Sequence, residues 1–159
     1  MALKEGTQAP NFKFKDRDGN DKEFYDVDGK RIVFFFPQAF TPGCTAQACS
    51  LRDNYANLKG EGISEVFGIS IDSEEKLAKF KKEHGLDYIL IADTDGEISK
   101  SYDVYNNFLL KKMSGRVTYT VDPDNTIHNT VNSGIMGKKV EHDLSEHGTD
   151  LLNLIKQDK

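Results

Sequence analysis

Residues 31–53 read RIVFFFPQAFTPGCTAQACSLRD, and the pattern of this stretch decides the fold. Ile32 to Phe36 is an unbroken apolar run, β-branched and aromatic, that stops at Pro37. A run that short and that uniform reads as a central strand buried on both faces. Thr41-Pro42 then opens a helix. Threonine suits the N-cap, and proline at the first helical position has its φ already helical and no N–H to lose. With Thr41 as the cap, Cys44 is the third residue of the helix. Cys44, Ala48, Leu51, Tyr55 and Leu58 step by four, three, four and three, which sets them on one face. A strand thus delivers the chain to a tight loop, and the following helix holds Cys44 at its positive end. There, unpaired N–H groups and the macrodipole stabilise an anion such as a thiolate.

Working outward, Phe12 and Phe14 alternate with Lys13 and Lys15 as a half-exposed strand, and the Asp18–Asp21 turn returns it as a hairpin over Lys22 to Tyr25. Downstream, Gly60 to Gly62 ends the cysteine helix and Ile63 to Ile71 is a second strand. Asp72-Ser73-Glu74-Glu75 starts a helix with acids in its first turn, and His84-Gly85 closes it. Tyr88 to Ala92 reads as a third strand, with a brief helix near Glu97 to Tyr102. Residues 106–115 read as irregular. Val117 to Val121 alternates, Asp122 to Asn125 is a turn with Pro123 second, and Thr126 to Val131 returns. The last helix is expected between Asp143 and Ile155. The order predicts an α/β sheet, parallel in its middle and antiparallel at one edge, with helices on both faces. Reactive groups in such sheets collect beyond the carboxyl ends of the strands, where Cys44 falls.

The 159 residues fit one domain spanning 1–159, and 37% hydrophobic with 30% charged residues is ordinary for a globular chain. No apolar run is long enough to span a membrane, and the N-terminus lacks a secretory layout, so the expected place is the cytoplasm. A net charge of −5 argues against nucleic acid as a partner. Two cysteines do not make a disulfide framework. Five positions apart on a helix they do not read as a zinc pair, and no histidine lies near them in sequence, so neither a metal nor a cofactor is expected. His142 and His147 are also five apart and read as solvated.

Pro37, then Thr41-Pro42-Gly43-Cys44-Thr45, Gln47-Ala48-Cys49 and Leu51-Arg52-Asp53 together resemble the peroxiredoxins, specifically their bacterioferritin-comigratory, or Q-type, branch. Arg116-Val117-Thr118-Tyr119 with Val121-Asp122 resembles the family's second arginine element, and the likeness runs from Gly6–Pro10 to the terminal helix. It implies a thioredoxin-like fold and a thioredoxin-dependent peroxidase acting on hydrogen peroxide and organic hydroperoxides. It implies Cys44 as the peroxidatic cysteine, Cys49 as the resolving one through an intramolecular disulfide, and Thr41 and Arg116 as groups touching the peroxide. Pro37 is expected to shape the substrate loop. The implied reductant is thioredoxin or a similar dithiol, and the implied state is a monomer, with a weak dimer as the alternative.

The chemistry sets its own demands. A thiol of ordinary pKa is about 3% ionised at neutral pH, so full ionisation is worth about 30-fold, or about 2 kcal/mol of barrier. The larger contribution must come from donors placed on the oxygens as the O–O bond breaks. Arg116 offers a fixed cationic fork, and the Thr41 hydroxyl can accept from a helix N–H while donating to sulfur or peroxide. Arg52, two turns past Cys44, reads as a partner of Asp53 or of another surface acid and stays outside the catalytic set. Two rival readings remain at this stage: a thiol–disulfide oxidoreductase, disfavoured by the lack of a C-x-x-C pair, and a non-catalytic thioredoxin-fold binding domain.

Overall fold

The computed structural model describes residues 2–108, 111–114, 116–132 and 147–157. His142 and the expected start of the last helix at Asp143 lie outside the described residues. The N-terminal hairpin pairs β1 (Lys13–Lys15) with β2 (Asp21–Glu23), Lys13 opposite Glu23, and a 3-10 turn over Phe24–Asp26 follows. Then come β3 (Lys30–Phe35), α1 (Pro42–Gly60), β4 (Ile63–Ser70), α2 (Glu74–His84), β5 (Ile89–Ala92) and α3 (Glu97–Ser101). The chain continues through β6 (Tyr105–Phe108), β7 (Lys111–Ser114), β8 (Val117–Val121), β9 (Ile127–Asn132) and α4 (His147–Gln157).

The main sheet has the order β5-β4-β3-β8-β9, so the apolar run of β3 is its central strand. β3, β4 and β5 run parallel, while β8 lies antiparallel to both β3 and β9. Both crossovers step the same way across the sheet, and right-handed connections that do so place their helices on one face. Among the described residues the expectation of helices on both faces is met only by the short α3, whose Ile98 packs on the far side. α1, α2 and α4 all cover the other face. Their Leu51, Leu58, Leu77, Phe80, Leu151 and Ile155 enclose Ile32, Phe34 and Phe36 of the central run. Val33 and Phe35 point the opposite way, into a core closed by Phe12, Phe14 and Phe24 of the N-terminal segment with Tyr102 and Tyr119.

Within 106–115, read as irregular, residues 106–108 and 111–114 instead belong to β6 and β7, a separate antiparallel pair with Tyr105 opposite Ser114. Among the described residues the two strands pair only with each other, and their sequences, YNNF and KKMS, carry no apolar–polar alternation that would mark a strand. Where α4 crosses α1, Gly148 is required by contact. A Cβ there would stand 2.3 Å from the Ser50 carbonyl oxygen. The Gly148 N–H instead donates to the Ser50 hydroxyl at 2.8 Å.

Candidate active site

The site begins where β3 ends. Phe36 adds one more rung to the parallel ladder, its N–H donating to the Ile69 carbonyl at 3.1 Å. Pro37 then turns the chain out of the sheet, half-buried and with a trans peptide bond. The loop that follows is pinned by Asp72, just beyond β4: its carboxylate accepts from the Ala39 N–H at 2.8 Å and from the Ser70 hydroxyl at 2.6 Å. Lys76 pairs with the same group at 3.1 Å. Sequence reading took Asp72 only as part of a helix start, because its loop partner lies 33 positions away. Phe40 adopts φ 66°, rare for a bulky residue, and is 41% exposed. Its ring rests edge-on against Phe80 of α2, 5.1 Å between centroids.

Thr41 is the N-cap by backbone geometry, with φ −78° and ψ 150°, and Pro42 follows at the first helical position. The Thr41 carbonyl accepts the Thr45 N–H at 2.9 Å. The expectation for its hydroxyl needs correction. No side-chain capping bond forms; Oγ1 donates instead to the Gln38 carbonyl at 2.7 Å. The tight turn brings that carbonyl, three residues back, closer to hand than the helix N–H groups. With its proton so committed, the hydroxyl has acceptor capacity to offer any further group.

Cys44 is 1% exposed and packs with Phe36, Ala39 and Ala48 in the core beneath α1. The predicted seam holds: Ala48, Leu51 and Leu58 are buried and Tyr55 is partly so. One turn past Cys44, Gln47 is fully buried, and neither polar atom of its amide has a hydrogen-bond partner among the described residues. Buried polar atoms are seldom left so. Arg116 stands immediately before β8. Extending the β3–β8 register by two residues sets it opposite Phe36, at the end of the sheet from which the Cys44 loop departs. Its Nη1 is buried and also has no partner among the described residues. Two side chains with buried polar atoms that have no partner among the described residues thus lie in the segments that flank the thiol. Gln47 was quoted in sequence only as part of a motif; the signal that singles it out is burial without a partner, which sequence does not carry.

Cys49 is half-buried on α1, and both cysteines are free thiols. Its sulfur lies 3.7 Å from Nδ1 of His84 at the end of α2, a neighbour that sequence separation hid. Arg52 bonds Asp53 at 3.0 Å, as its position suggested, and also donates to the His84 carbonyl at 2.6 Å. Tyr88 donates its hydroxyl to the Ala48 carbonyl at 2.8 Å. Burial, with a smaller push from the Cys49 charge, holds the Tyr88 hydroxyl well above the ordinary tyrosine pKa, so it remains a donor.

Among the described residues no three His, Cys, Asp or Glu side chains gather as a metal site, and no helix is long and apolar enough to cross a membrane. A cleft of about 790 Å³ opens between the N-terminal hairpin, α2 and β5. Its walls include Phe14, Leu77 and Leu90 but no residue of the 37–49 stretch, so it does not serve the thiol.

A thioredoxin-like mixed sheet, with a buried cysteine in the first turn of the helix after its central strand, defines a class of thiol-dependent oxidoreductases. The chain belongs to the AhpC/TSA family, whose pattern it matches over residues 6–130, and it is a thiol-dependent peroxidase. It is 36% identical to peroxiredoxin Bcp of Escherichia coli over 160 aligned residues, covering 98% of this chain and 97% of that one. It is 35% identical to the chloroplastic peroxiredoxin Q of Suaeda salsa, over 86% of this chain and 64% of the relative. The crystal structure of peroxidoxin BcpB from Mycobacterium tuberculosis superposes with a TM-score of 0.84 at 28% identity, covering 99% of each chain.

Proposed function

We propose that Cys44 is the peroxidatic residue of this peroxidase, and that it acts on hydrogen peroxide and organic hydroperoxides. The observation that carries the assignment is the burial of Cys44 in the first turn of α1, beside a loop pinned in place by Asp72, with Arg116 at the end of the sheet where that loop departs and its buried Nη1 without a partner among the described residues. The Cys44 thiolate attacks one peroxide oxygen and the O–O bond breaks. Cys44 is left as the sulfenic acid, and the second oxygen leaves as hydroxide or alkoxide and becomes water or an alcohol by taking up the equivalent of the proton that Cys44 lost on ionising. Arg116 donates to the oxygens as charge moves onto them. The Thr41 oxygen accepts from a peroxide O–H, its own proton being held by Gln38. Pro37 shapes the loop by taking the chain out of the sheet before Ala39.

Cys49 then resolves the sulfenic acid as an intramolecular disulfide, and thioredoxin or a similar dithiol reduces it. What supports Cys49 is its place on the same helix, five residues from Cys44 and partly open to solvent. We read residues 1–159 as one domain working as a monomer in the cytoplasm, where a thiol enzyme finds its reductant. Cys44→Ser tests the central assignment. It should abolish peroxide consumption with a dithiol donor while far-UV dichroism remains that of the parent. A variant retaining about a tenth of the activity would place the nucleophile elsewhere, since removing a sole nucleophile costs far more than tenfold.

A further inference from the structure

We propose that His84 is the proton acceptor for Cys49 during resolution, a role that rests on the reading of Cys49 as the resolving cysteine. The two side chains come from elements 35 residues apart and meet at 3.7 Å, sulfur to Nδ1, within reach of a thiol hydrogen bond. His84 is held for this contact from three sides. Phe80 stands edge-on to the imidazole at 5.1 Å between centroids, and Phe40 lies tilted at 6.3 Å. The His84 carbonyl takes the Arg52 guanidinium at 2.6 Å, which locks the end of α2 to α1. Gly85, at φ 61°, ends the helix immediately after, so the imidazole sits in the last turn of α2.

The charges around the pair favour proton transfer. Arg52 lies on α1 one turn from Cys49 and is held above its ordinary pKa first by its bond to Asp53 and further by the charge of Cys49. From the sheet side, Tyr88 keeps its hydroxyl on the Ala48 carbonyl. From α2, Lys81 sends its ammonium to the Tyr88 carbonyl at 2.6 Å. A negative sulfur at Cys49 therefore faces Arg52 and a protonated His84, with Asp53 already engaged by Arg52.

The step balances without any further reagent. Nδ1 of His84 takes the proton from Cys49, and the resulting thiolate attacks the sulfur of the Cys44 sulfenic acid. The S–S bond forms as the S–O bond breaks, and the oxygen leaves with that electron pair as hydroxide. It becomes water by taking up the equivalent of the proton His84 received. The net change is one thiol and one sulfenic acid converted to one disulfide and one water.

Two variants separate proton transfer from packing. His84→Phe keeps a ring against Phe40 and Phe80 but has no proton acceptor, and His84→Asn removes both ring and base. The first readout is alkylation of Cys49 by iodoacetamide in a Cys44→Ser background, where Cys49 is the only thiol. The second is the rate of disulfide formation after one equivalent of peroxide, by quenched flow and mass. Near neutral pH both variants should alkylate and resolve roughly tenfold more slowly, below the usual 10²–10⁴ range for general bases because sulfur is an undemanding acid. The deficit should vanish in alkali, where hydroxide takes the proton. Parent-like rates in His84→Phe overturn the proposal and leave His84 a packing residue; so do parent-like rates in His84→Asn, should the other variant fail to fold. A parent that accumulates sulfenic acid and never loses the two hydrogens of a disulfide overturns the resolving role of Cys49 itself. Mass distinguishes that failure from the first.

Discussion

Tyr88→Phe tests whether α1 must open for Cys44 and Cys49 to join. The two cysteines lie five positions apart in one continuous helix. That spacing puts their Cα atoms roughly 8.6 Å apart and about 140° round the axis. A disulfide tolerates about 7 Å at most, with converging Cβ directions. The turns from Thr41 to Cys49 therefore have to come apart before the bond can form. Ala48 sits inside that segment, and Tyr88 sits outside it, in the chain that enters β5. The 2.8 Å bond from the Tyr88 hydroxyl to the Ala48 carbonyl thus ties the moving part to the fixed part.

Phenylalanine keeps the ring, which stands edge-on to Phe34 at 5.5 Å and to Tyr55 at 6.1 Å, and removes only the oxygen. The Ala48 carbonyl retains its helical partner, so no acceptor is orphaned. The loss is that of one neutral hydrogen bond, about 1 kcal/mol, and it falls on the closed helix alone. The opening equilibrium should rise about fivefold, and resolution with it if opening precedes the bond. A shorter-lived sulfenic acid also meets a second peroxide less often, so less sulfinic acid should accumulate at high peroxide. The assay is quenched flow with intact mass after one equivalent of peroxide, paired with amide exchange over Thr41–Asp53 in the reduced protein. Unchanged exchange together with unchanged or slower resolution would refute the reasoning. A parent disulfide that forms while those amides stay protected would refute it more directly.

Arg116→Lys keeps a positive charge but loses the planar fork, and should slow peroxide oxidation of Cys44 by about 100-fold, measured in single turnover; a rate within about threefold of the parent would remove Arg116 from the reacting centre. Asp72→Ala deletes the anchors to Ala39 and Ser70, and should cost about 2 kcal/mol in urea unfolding while slowing the peroxide step, because the loop before Thr41 is no longer held. Glu65 offers an acid-sensitive test. Burial pushes its carboxyl up, but the Arg17 fork, the Val66 N–H and the Tyr55 hydroxyl more than offset that and hold it below the ordinary 4.5. Its stabilisation is therefore complete above the ordinary value and lost as pH falls through the depressed one, so Arg17→Met should flatten the acid limb of a stability–pH curve. Arg17 is 46% exposed at its side chain, so the cost at neutral pH should stay within about 1 kcal/mol.

The parts of this enzyme that sequence reveals are those written in neighbouring residues. The apolar run of β3, the Thr41-Pro42 helix start, the Cys44–Leu58 seam and the Ser73 and Gly85 caps of α2 each depend on a few consecutive side chains. The β6–β7 pair left no such trace, because YNNF and KKMS do not alternate. Thr41 shows the limit even for a local reading. Its position as cap was legible, but its hydroxyl had two acceptors or donors within reach, and only the folded turn decides for Gln38.

The ties that hold the reactive stretch were out of reach for a different reason. Ala39 to Asp72, Cys49 to His84, Arg52 to His84 and Ala48 to Tyr88 span 33, 35, 32 and 40 positions. The three residues at their far ends, Asp72, His84 and Tyr88, lie on the return crossover from the end of β4 through α2 to the start of β5. Parallel strands need such a crossover, and its right-handed path brings α2 against α1 whatever else these residues do. The fold thus sets a clasp along the helix that has to open, fastened near its start by Asp72 and along its middle by His84 and Tyr88. Loosening the clasp at Tyr88 favours resolution, whereas loosening its Asp72 end also frees the loop that presents Thr41, and His84 is needed for the proton of Cys49. The two demands fall on different residues of the same crossover, so Tyr88→Phe and Asp72→Ala should move the resolving and peroxide steps in opposite directions.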